Sequence, residues 1–143
     1  MRTVYRVLAM LIALGVVVQA ALIAVAWFAA LKELDDGTVL DKNYEGNWAH
    51  VAHGQVGMLV LPLIALVLLI VSFFAGIAGG VKWAAITLGV TVLQVVFAFV
   101  GFAAPVAGAL HGINAFVLAG VASVAMRKAR LAAAPPAPVA AAV

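Results

Sequence analysis

The stretch WAHVAHGQVGMLVLPLIALVLLIVSFF, residues Trp48 to Phe74, decides the fold of this chain. It contains no Asp, Glu, Lys or Arg, and it is longer than the roughly 20 residues that a helix needs to cross a hydrocarbon core. Backbone amides must be satisfied within the segment in lipid, which excludes an isolated strand. The stretch is therefore predicted to be a transmembrane helix.

Three further apolar runs of similar length cover approximately Val4 to Leu31, Val81 to Ala103 and Val106 to Met126. The whole chain is 68% hydrophobic, well above the roughly 45–50% of a soluble domain. Short connections near Gly79 and Pro105 make sequence neighbours antiparallel. We therefore predict an all-α integral membrane protein, a four-helix up-down-up-down bundle over residues 1–131, followed by an Ala/Pro-rich tail over 132–143.

The distribution of charge predicts the orientation. All five acidic residues lie in the first connection, Lys32 to Asn47, which is predicted to be a solvated acidic loop, with a lid as the alternative. Six basic residues flank the other ends of the helices: Arg2, Arg6, Lys82, Arg127, Lys128 and Arg130. The positive-inside rule then places both termini and the tail in the cytoplasm. The predicted location of the protein is the bacterial plasma membrane. The first run is too long for a typical signal peptide, so an uncleaved helix is predicted.

Two histidines are predicted to face each other in the membrane. His53 lies about five residues into the second helix and His111 about five into the fourth, and these helices run in the same direction. Buried polar groups at such depth are costly and tend to be functional. Small residues accompany the pair, and together they form the candidate cofactor site: His50, His53, Gly54, Gly57, Gly108, His111, Gly112 and Asn114.

Haem suits this residue set best. Its iron accepts imidazoles from opposite sides, the macrocycle needs glycine-sized neighbours, and the chain has no cysteine for a thiolate site. The metal alternative is a copper or zinc ion held by His50, His53 and His111, and the simplest alternative is packing of small residues between helices. Asn114 either orients an imidazole or haem edge or binds a backbone carbonyl.

Two amides, Gln19 on the first helix and Gln94 on the third, also match in depth. The prediction is that they hydrogen-bond each other or nearby hydroxyls and fix the register of the helices. A role in quinone binding or proton transfer is the functional alternative.

A family resemblance follows from the histidines and from Leu93-Gln94-Val95-Val96 leading into Pro105 and Leu110-His111-Gly112. Over about Trp48 to Met126, the pattern resembles one four-helix half of the haem A synthase family. It also resembles a group of small four-helix actinobacterial membrane proteins of unknown function, through Leu110 to Ala115. The resemblance implies that His53 and His111 are axial ligands of haem iron.

The chain departs from the catalytic half of that family, whose second helix carries Glu-x-x-His-Arg. His50 stands in place of the acid and Gly54 in place of the arginine. The outer-loop cysteine pair of some members is absent, and only one half is present. The resemblance therefore implies haem binding more strongly than synthase catalysis, and no catalytic residue is assigned.

The leading functional hypothesis is a small b-type cytochrome-like protein that binds haem b for electron transfer or haem handling. The alternative is a non-catalytic accessory subunit of a larger membrane or respiratory complex. A transporter or channel is disfavoured because no acidic or basic residue is predicted within the bundle. Nucleic acid is not predicted as a partner, since the basic residues sit at helix ends.

Overall fold

A computed structural model describes residues 1–133, and in that range the fold consists of helices without strands. Helix α1 is Arg2–Asp35, α2 is Trp48–Ser72, α3 is Gly80–Ala103 and α4 is Ala109–Ala132, which follows a 3₁₀ turn at Pro105–Gly108. All four are long and apolar enough to cross a membrane. The predicted all-α membrane bundle is confirmed, and the predicted tail lies almost entirely outside the described residues.

The helices pack as a ring of neighbours. α1 packs against α2 and α4, and α3 packs against α2 and α4. Helices α2 and α4, which carry the histidines, therefore lie across the bundle from each other. A diagonal pair of this kind presents its side chains to a shared interior, where bundles commonly hold cofactors.

The buried core occupies one end of the bundle, which we call the basic end because it carries Arg2, Arg6, Lys82, Arg127, Lys128 and Arg130. Small side chains dominate this core, so the helices approach closely. Because the hydrophobic effect does not drive helix association in lipid, dispersion contacts between the close helices stabilise the bundle instead. The cluster consists of Tyr5, Ala9, Ile12, Ala65, Leu68, Ala75, Ile77, Ala84, Leu118, Ala122, Ala125 and Ala129.

Polar side chains of α1 tie the basic end together. Arg2 donates from Nη1 to the carbonyl of Ala132 at 2.9 Å and from Nη2 to the carbonyl of Gly76 at 3.3 Å. The Tyr5 hydroxyl, fully buried, donates to the carbonyl of Gly80 at 2.9 Å. The Arg2 bonds satisfy carbonyls left open at the end of α4 and in the turn after α2. They also show that the start of α1 and the end of α4 lie at the same end of the bundle.

The turn between α2 and α3 is tight, as predicted, and two glycines make it so. Gly76 has φ of 59° and Gly79 has φ of 73°. These values lie in the left-handed region, where any side chain with a Cβ is strained. The turn is short enough to bring the second half of α2, from Leu61 to Ser72, into contact with α3.

Helix α2 contains a π-helical turn at Val56–Val60, in which the N–H of Leu61 donates to the carbonyl of Val56. The turn directly precedes Pro62, which has no N–H to donate to an α-helical partner. Such a turn holds one residue more than an α-helical turn, and each residue corresponds to about 100° of rotation. The faces of α2 above and below it are therefore offset.

The offset corrects the predicted face of α2. A regular helix places His50, Gly54 and Gly57 in line with the core residues Leu61, Ala65 and Leu68, and leaves His53 at the border of that face. With the π-helical turn, the inward face above Leu61 instead includes His53 and Ala49, and Ala49 is fully buried. His50 is consequently not on this inward face, since it is one residue after Ala49.

Candidate functional site

His53 and His111 meet in the bundle half opposite the basic end, which we call the histidine end. Their ring centroids are 6.3 Å apart, and the ring planes are inclined by 62°. Both residues are half-buried. The structure thus confirms the prediction that histidines from α2 and α4 lie at the same depth and close together.

His53 is bound reciprocally to Gln19 of α1. The side-chain amide Nε2 of Gln19 donates to the backbone carbonyl of His53 at 2.8 Å, and Nδ1 of His53 lies 3.0 Å from the backbone carbonyl of Gln19. Each residue therefore contributes one side chain and one backbone carbonyl. We call this arrangement a Gln–His bracket.

A second Gln–His bracket joins α3 to α4 with the same pattern. Nε2 of Gln94 donates to the backbone carbonyl of His111 at 2.9 Å, and Nδ1 of His111 lies 3.0 Å from the backbone carbonyl of Gln94. The predicted bond between Gln19 and Gln94 is therefore wrong. Each amide instead binds the histidine helix that follows it in the sequence.

The brackets fix which nitrogen of each imidazole carries a proton. A backbone carbonyl only accepts, so Nδ1 of His53 and of His111 must be the N–H donor in these contacts. The Nε2 atom of a neutral ring then carries the lone pair. A ring N–H held by a backbone carbonyl is the usual setting of a metal-binding histidine, because it orients the ring and raises the basicity of the other nitrogen.

The two brackets differ in their third partner. Asn114 donates from Nδ2 to Oε1 of Gln94 at 2.7 Å and to the backbone carbonyl of Val90 at 3.1 Å. On α2 the equivalent position, three residues after the histidine, is Val56, which has no polar atom in its side chain. Oε1 of Gln19 is buried, and because Val56 cannot donate to it, it receives no hydrogen bond within the described part of the chain.

Gln94 also lies close to the free nitrogen of its histidine. Its Nε2 atom is 3.2 Å from Nε2 of His111, and the amide is the donor in that contact. Ligation of a metal through His111 would replace this contact, while Gln94 would keep its bond to the backbone carbonyl of His111. In the ring of His53, by contrast, only Nδ1 has a hydrogen-bond partner among the described residues.

The four candidate glycines fall into two pairs. Gly54 and Gly112, each directly after a histidine, have open space where a Cβ would lie. A Cβ on Gly57 would come within 2.5 Å of Nε2 of Gln19, so Gly57 makes room for the first bracket. Gly108 instead faces Gly101, where α3 and the start of α4 approach closely.

His50 lies apart from the histidine pair. Its Nδ1 atom accepts a hydrogen bond from the backbone N–H of Asn47, and the side chain of Asn47 in turn accepts from the first N–H groups of α2. Its ring is edge-on to Trp27 at 5.4 Å between centroids. His50 is thus part of a capping box at the start of α2.

This placement does not support the three-histidine copper or zinc site. Within residues 1–133 there is no group of three or more His, Cys, Asp or Glu side chains placed to hold a metal ion. The two remaining imidazoles on a diagonal suit a metal that brings its own equatorial ligands, as haem iron does.

The loop between α1 and α2 closes over the capping box. The hydroxyl of Tyr44 donates to Oε2 of Glu33 at 2.6 Å, and the Asn47 side chain donates to the carbonyl of Ala26 at 2.9 Å. The hydrogen bond to Glu33 raises the pKa of Tyr44 above its ordinary value. The loop thereby fixes the start of α2, and with it the level of His53.

The two glycines of α2 provide a matched test of the bracket. Gly57→Ala is expected to destabilise the bundle by about 1–2 kcal/mol, because the added methyl group overpacks against the Gln19 amide. Gly54→Ala meets open space and is expected to be neutral or stabilising, since alanine favours helix by up to about 1 kcal/mol. Denaturant unfolding in mild detergent checks this, and an equal loss in both variants would contradict the close approach of Gln19.

In comparisons with known proteins, no family model, no curated protein and no solved structure gives a significant match to this chain. The resemblance to haem A synthases therefore stays a prediction. The fold and the site define the class, a small four-helix membrane protein with a bracketed histidine pair.

The Gln–His brackets were not predicted from the sequence, although the sequence contains a repeated pattern that corresponds to them. A glutamine deep in one helix is followed by His-Gly near the start of the next, first as Gln19 with His53-Gly54 and then as Gln94 with His111-Gly112. The unequal connections obscure this repeat, since the residues of the two brackets are 34 and 17 positions apart.

Proposed function

We propose that the protein binds one haem b between α2 and α4, with His53 and His111 as axial ligands, and acts as a small b-type cytochrome in electron transfer or haem handling. One observation carries the proposal. The two imidazoles are 6.3 Å apart between centroids. Imidazole nitrogens bind first-row metals at roughly 2 Å, so two rings on one iron have centroids roughly 6 Å apart. The inclination of the ring planes would be no obstacle, because two imidazoles can bind one metal ion at any angle between their planes.

The brackets supply a second line of support. Holding Nδ1–H of each ring against a backbone carbonyl leaves Nε2 available as a ligand without a change of tautomer. It also binds each imidazole to a neighbouring helix, so the ligands stay in place while the cofactor enters or leaves. Imidazoles held in this way would bind a cofactor at little further cost in side-chain entropy, which supports the proposal.

Few large side chains are buried at the histidine end, which favours a bulky ligand there. The large buried core cluster lies at the basic end, and at the histidine end the buried side chains are few and mostly alanine. Gly54 and Gly112, the residues that follow the two histidines, have open space where a Cβ would lie. The buried Oε1 atom of Gln19 is an acceptor that a water or a polar group of the ligand can satisfy.

When bound, haem would supply one-electron chemistry. His53 and His111 would hold the iron through two neutral nitrogens, and apolar and small side chains would surround it. In the orientation that the positive-inside rule favours, the basic end faces the cytoplasm of the plasma membrane and the histidine end faces outward. Electron exchange would then take place near the outer surface.

The test is a visible spectrum of the protein purified in mild detergent from haem-replete cells, oxidised and then reduced with dithionite. We expect a Soret band and, on reduction, the sharp α and β bands of six-coordinate low-spin haem, at about one haem per chain. Titration of haem-free protein with hemin should restore the same spectrum. A colourless protein that also fails to take up hemin would overturn the proposal and favour the accessory-subunit hypothesis.

A further inference from the structure

We propose a second ligand site, for an anionic phospholipid, in a cleft between α1 and α4 at the basic end. The cleft has a volume of about 500 Å³ and is lined by Arg6, Val7, Met10, Ser123, Met126, Arg127 and Arg130. Neither the histidine pair nor the haem proposal involves any of these residues.

The charge of the cleft suits a phosphate group. Three arginines from two helices line it, and guanidinium groups bind phosphate oxygens in pairs of parallel hydrogen bonds. All five acidic residues of the chain lie between positions 33 and 45, at or beyond the other end of α1. Within residues 1–133 the one ion pair is Lys32 with Asp36, so no carboxylate neutralises the arginines of the cleft.

The polarity of the cleft changes in one direction, as that of a lipid does. On α1, Met10 lies one helical turn deeper in the bundle than Arg6. On α4, which runs the opposite way, Ser123 lies one turn deeper than Arg127. Both walls therefore pass from arginine at the membrane surface to uncharged side chains further in. A headgroup phosphate would lie among the arginines and an acyl chain along Val7, Met10 and Met126.

This gradient favours a phospholipid over a soluble phosphate. A free phosphate or phosphate ester would use the arginines and leave the apolar floor of the cleft without a partner. Basic pockets between transmembrane helices at a membrane surface are a known setting for anionic lipid headgroups. A neighbouring groove on α4 also combines basic and apolar side chains and extends the same surface. It is lined by Val124, Arg127, Lys128 and Leu131.

The experiment is a lipid titration of the full chain in mild detergent, followed by native mass spectrometry. We expect phosphatidylglycerol to be retained and phosphatidylcholine to be lost under the same conditions. Arg6→Gln, Arg127→Gln and Arg130→Gln should each weaken the retention of phosphatidylglycerol about fivefold, the effect expected of one basic residue at an anionic surface, and the triple variant about 100-fold. Lys82→Gln is the matched control, since it removes one charge at the same end outside the cleft, and it should change retention less than twofold.

Two arms separate the alternatives. Inorganic phosphate and glycerol phosphate at the same concentration should not displace the lipid; displacement would show a site for soluble phosphate and overturn the lipid assignment. A loss in Lys82→Gln as large as in Arg127→Gln would show diffuse attraction to the basic end and also overturn it. Circular dichroism confirms folding of each variant, and Arg127→Lys, which keeps the charge but loses the paired hydrogen bonds, should fall between wild type and Arg127→Gln.

Discussion

Replacing either His53 or His111 with alanine is expected to weaken haem binding by at least about 100-fold and to abolish the low-spin spectrum. Loss of a group that merely orients a metal ligand typically costs 10–100-fold in affinity, and loss of the ligand itself should cost more. The two imidazoles face one iron in the proposed site, so the single variants should resemble each other. Hemin titrations followed at the Soret band measure the effect.

Two controls distinguish loss of a ligand from loss of the fold. Added imidazole should restore a low-spin spectrum in His53→Ala and in His111→Ala, because the small molecule can occupy the vacant axial position. His50→Ala should keep the wild-type spectrum, since His50 belongs to the capping box of α2. If His50→Ala lost haem as completely as His53→Ala, the assignment of His53 as the ligand on α2 would be wrong.

Replacing Gln94 with methionine is expected to destabilise the bundle by about 1–2 kcal/mol. Methionine keeps the length of the side chain, but it removes the bonds to the carbonyl and to Nε2 of His111 and the bond from Asn114. Interhelical hydrogen bonds in membranes contribute about 0.6 kcal/mol on average and at most about 1.7. The loss is measured by denaturant or steric-trapping unfolding in detergent.

Gln19→Met is the paired variant, and its effect should be smaller, at about 0.5 kcal/mol or less. It removes one bond, from Gln19 Nε2 to the His53 carbonyl, and at the same time removes a buried acceptor that has no partner in the described chain. The cost of leaving such an atom unsatisfied offsets part of the lost bond. Equal destabilisation by the two variants would contradict this difference between the brackets.

Much of the architecture follows from the sequence because lipid restricts the choices. Long runs without charge have to be helices, and their number and approximate ends can be counted directly. The proximity of His53 and His111 was predicted from their equal depth on two helices that run in the same direction, together with the diagonal placement of these helices in an up-down-up-down bundle. The last turns of α1 and α4 were not predicted, because Lys32 to Asp35 and Arg127 to Arg130 continue the helices beyond the apolar runs.

The partners of the polar groups could not be predicted in the same way. Depth gives a level in the membrane but not the neighbouring helix, so Gln19 and Gln94 could be matched with each other as readily as with the histidines. The brackets use backbone carbonyls as acceptors, and every residue has one. A sequence therefore gives no sign of which carbonyl is chosen.

The π-helical turn of α2 also has a consequence for how chain length relates to function. Because Val56–Val60 accommodates one residue beyond a regular turn, a chain lacking one residue there, for example Met58, would form an ordinary helix with the core below and His53 above still on a common line. A deletion at this position is thus compatible with the same site, whereas a deletion after Leu61 that left the π-helical turn in place would rotate the imidazole relative to the core residues beyond it. In this helix the tolerance for a missing residue is local, and it lies directly beside the ligand that it orients.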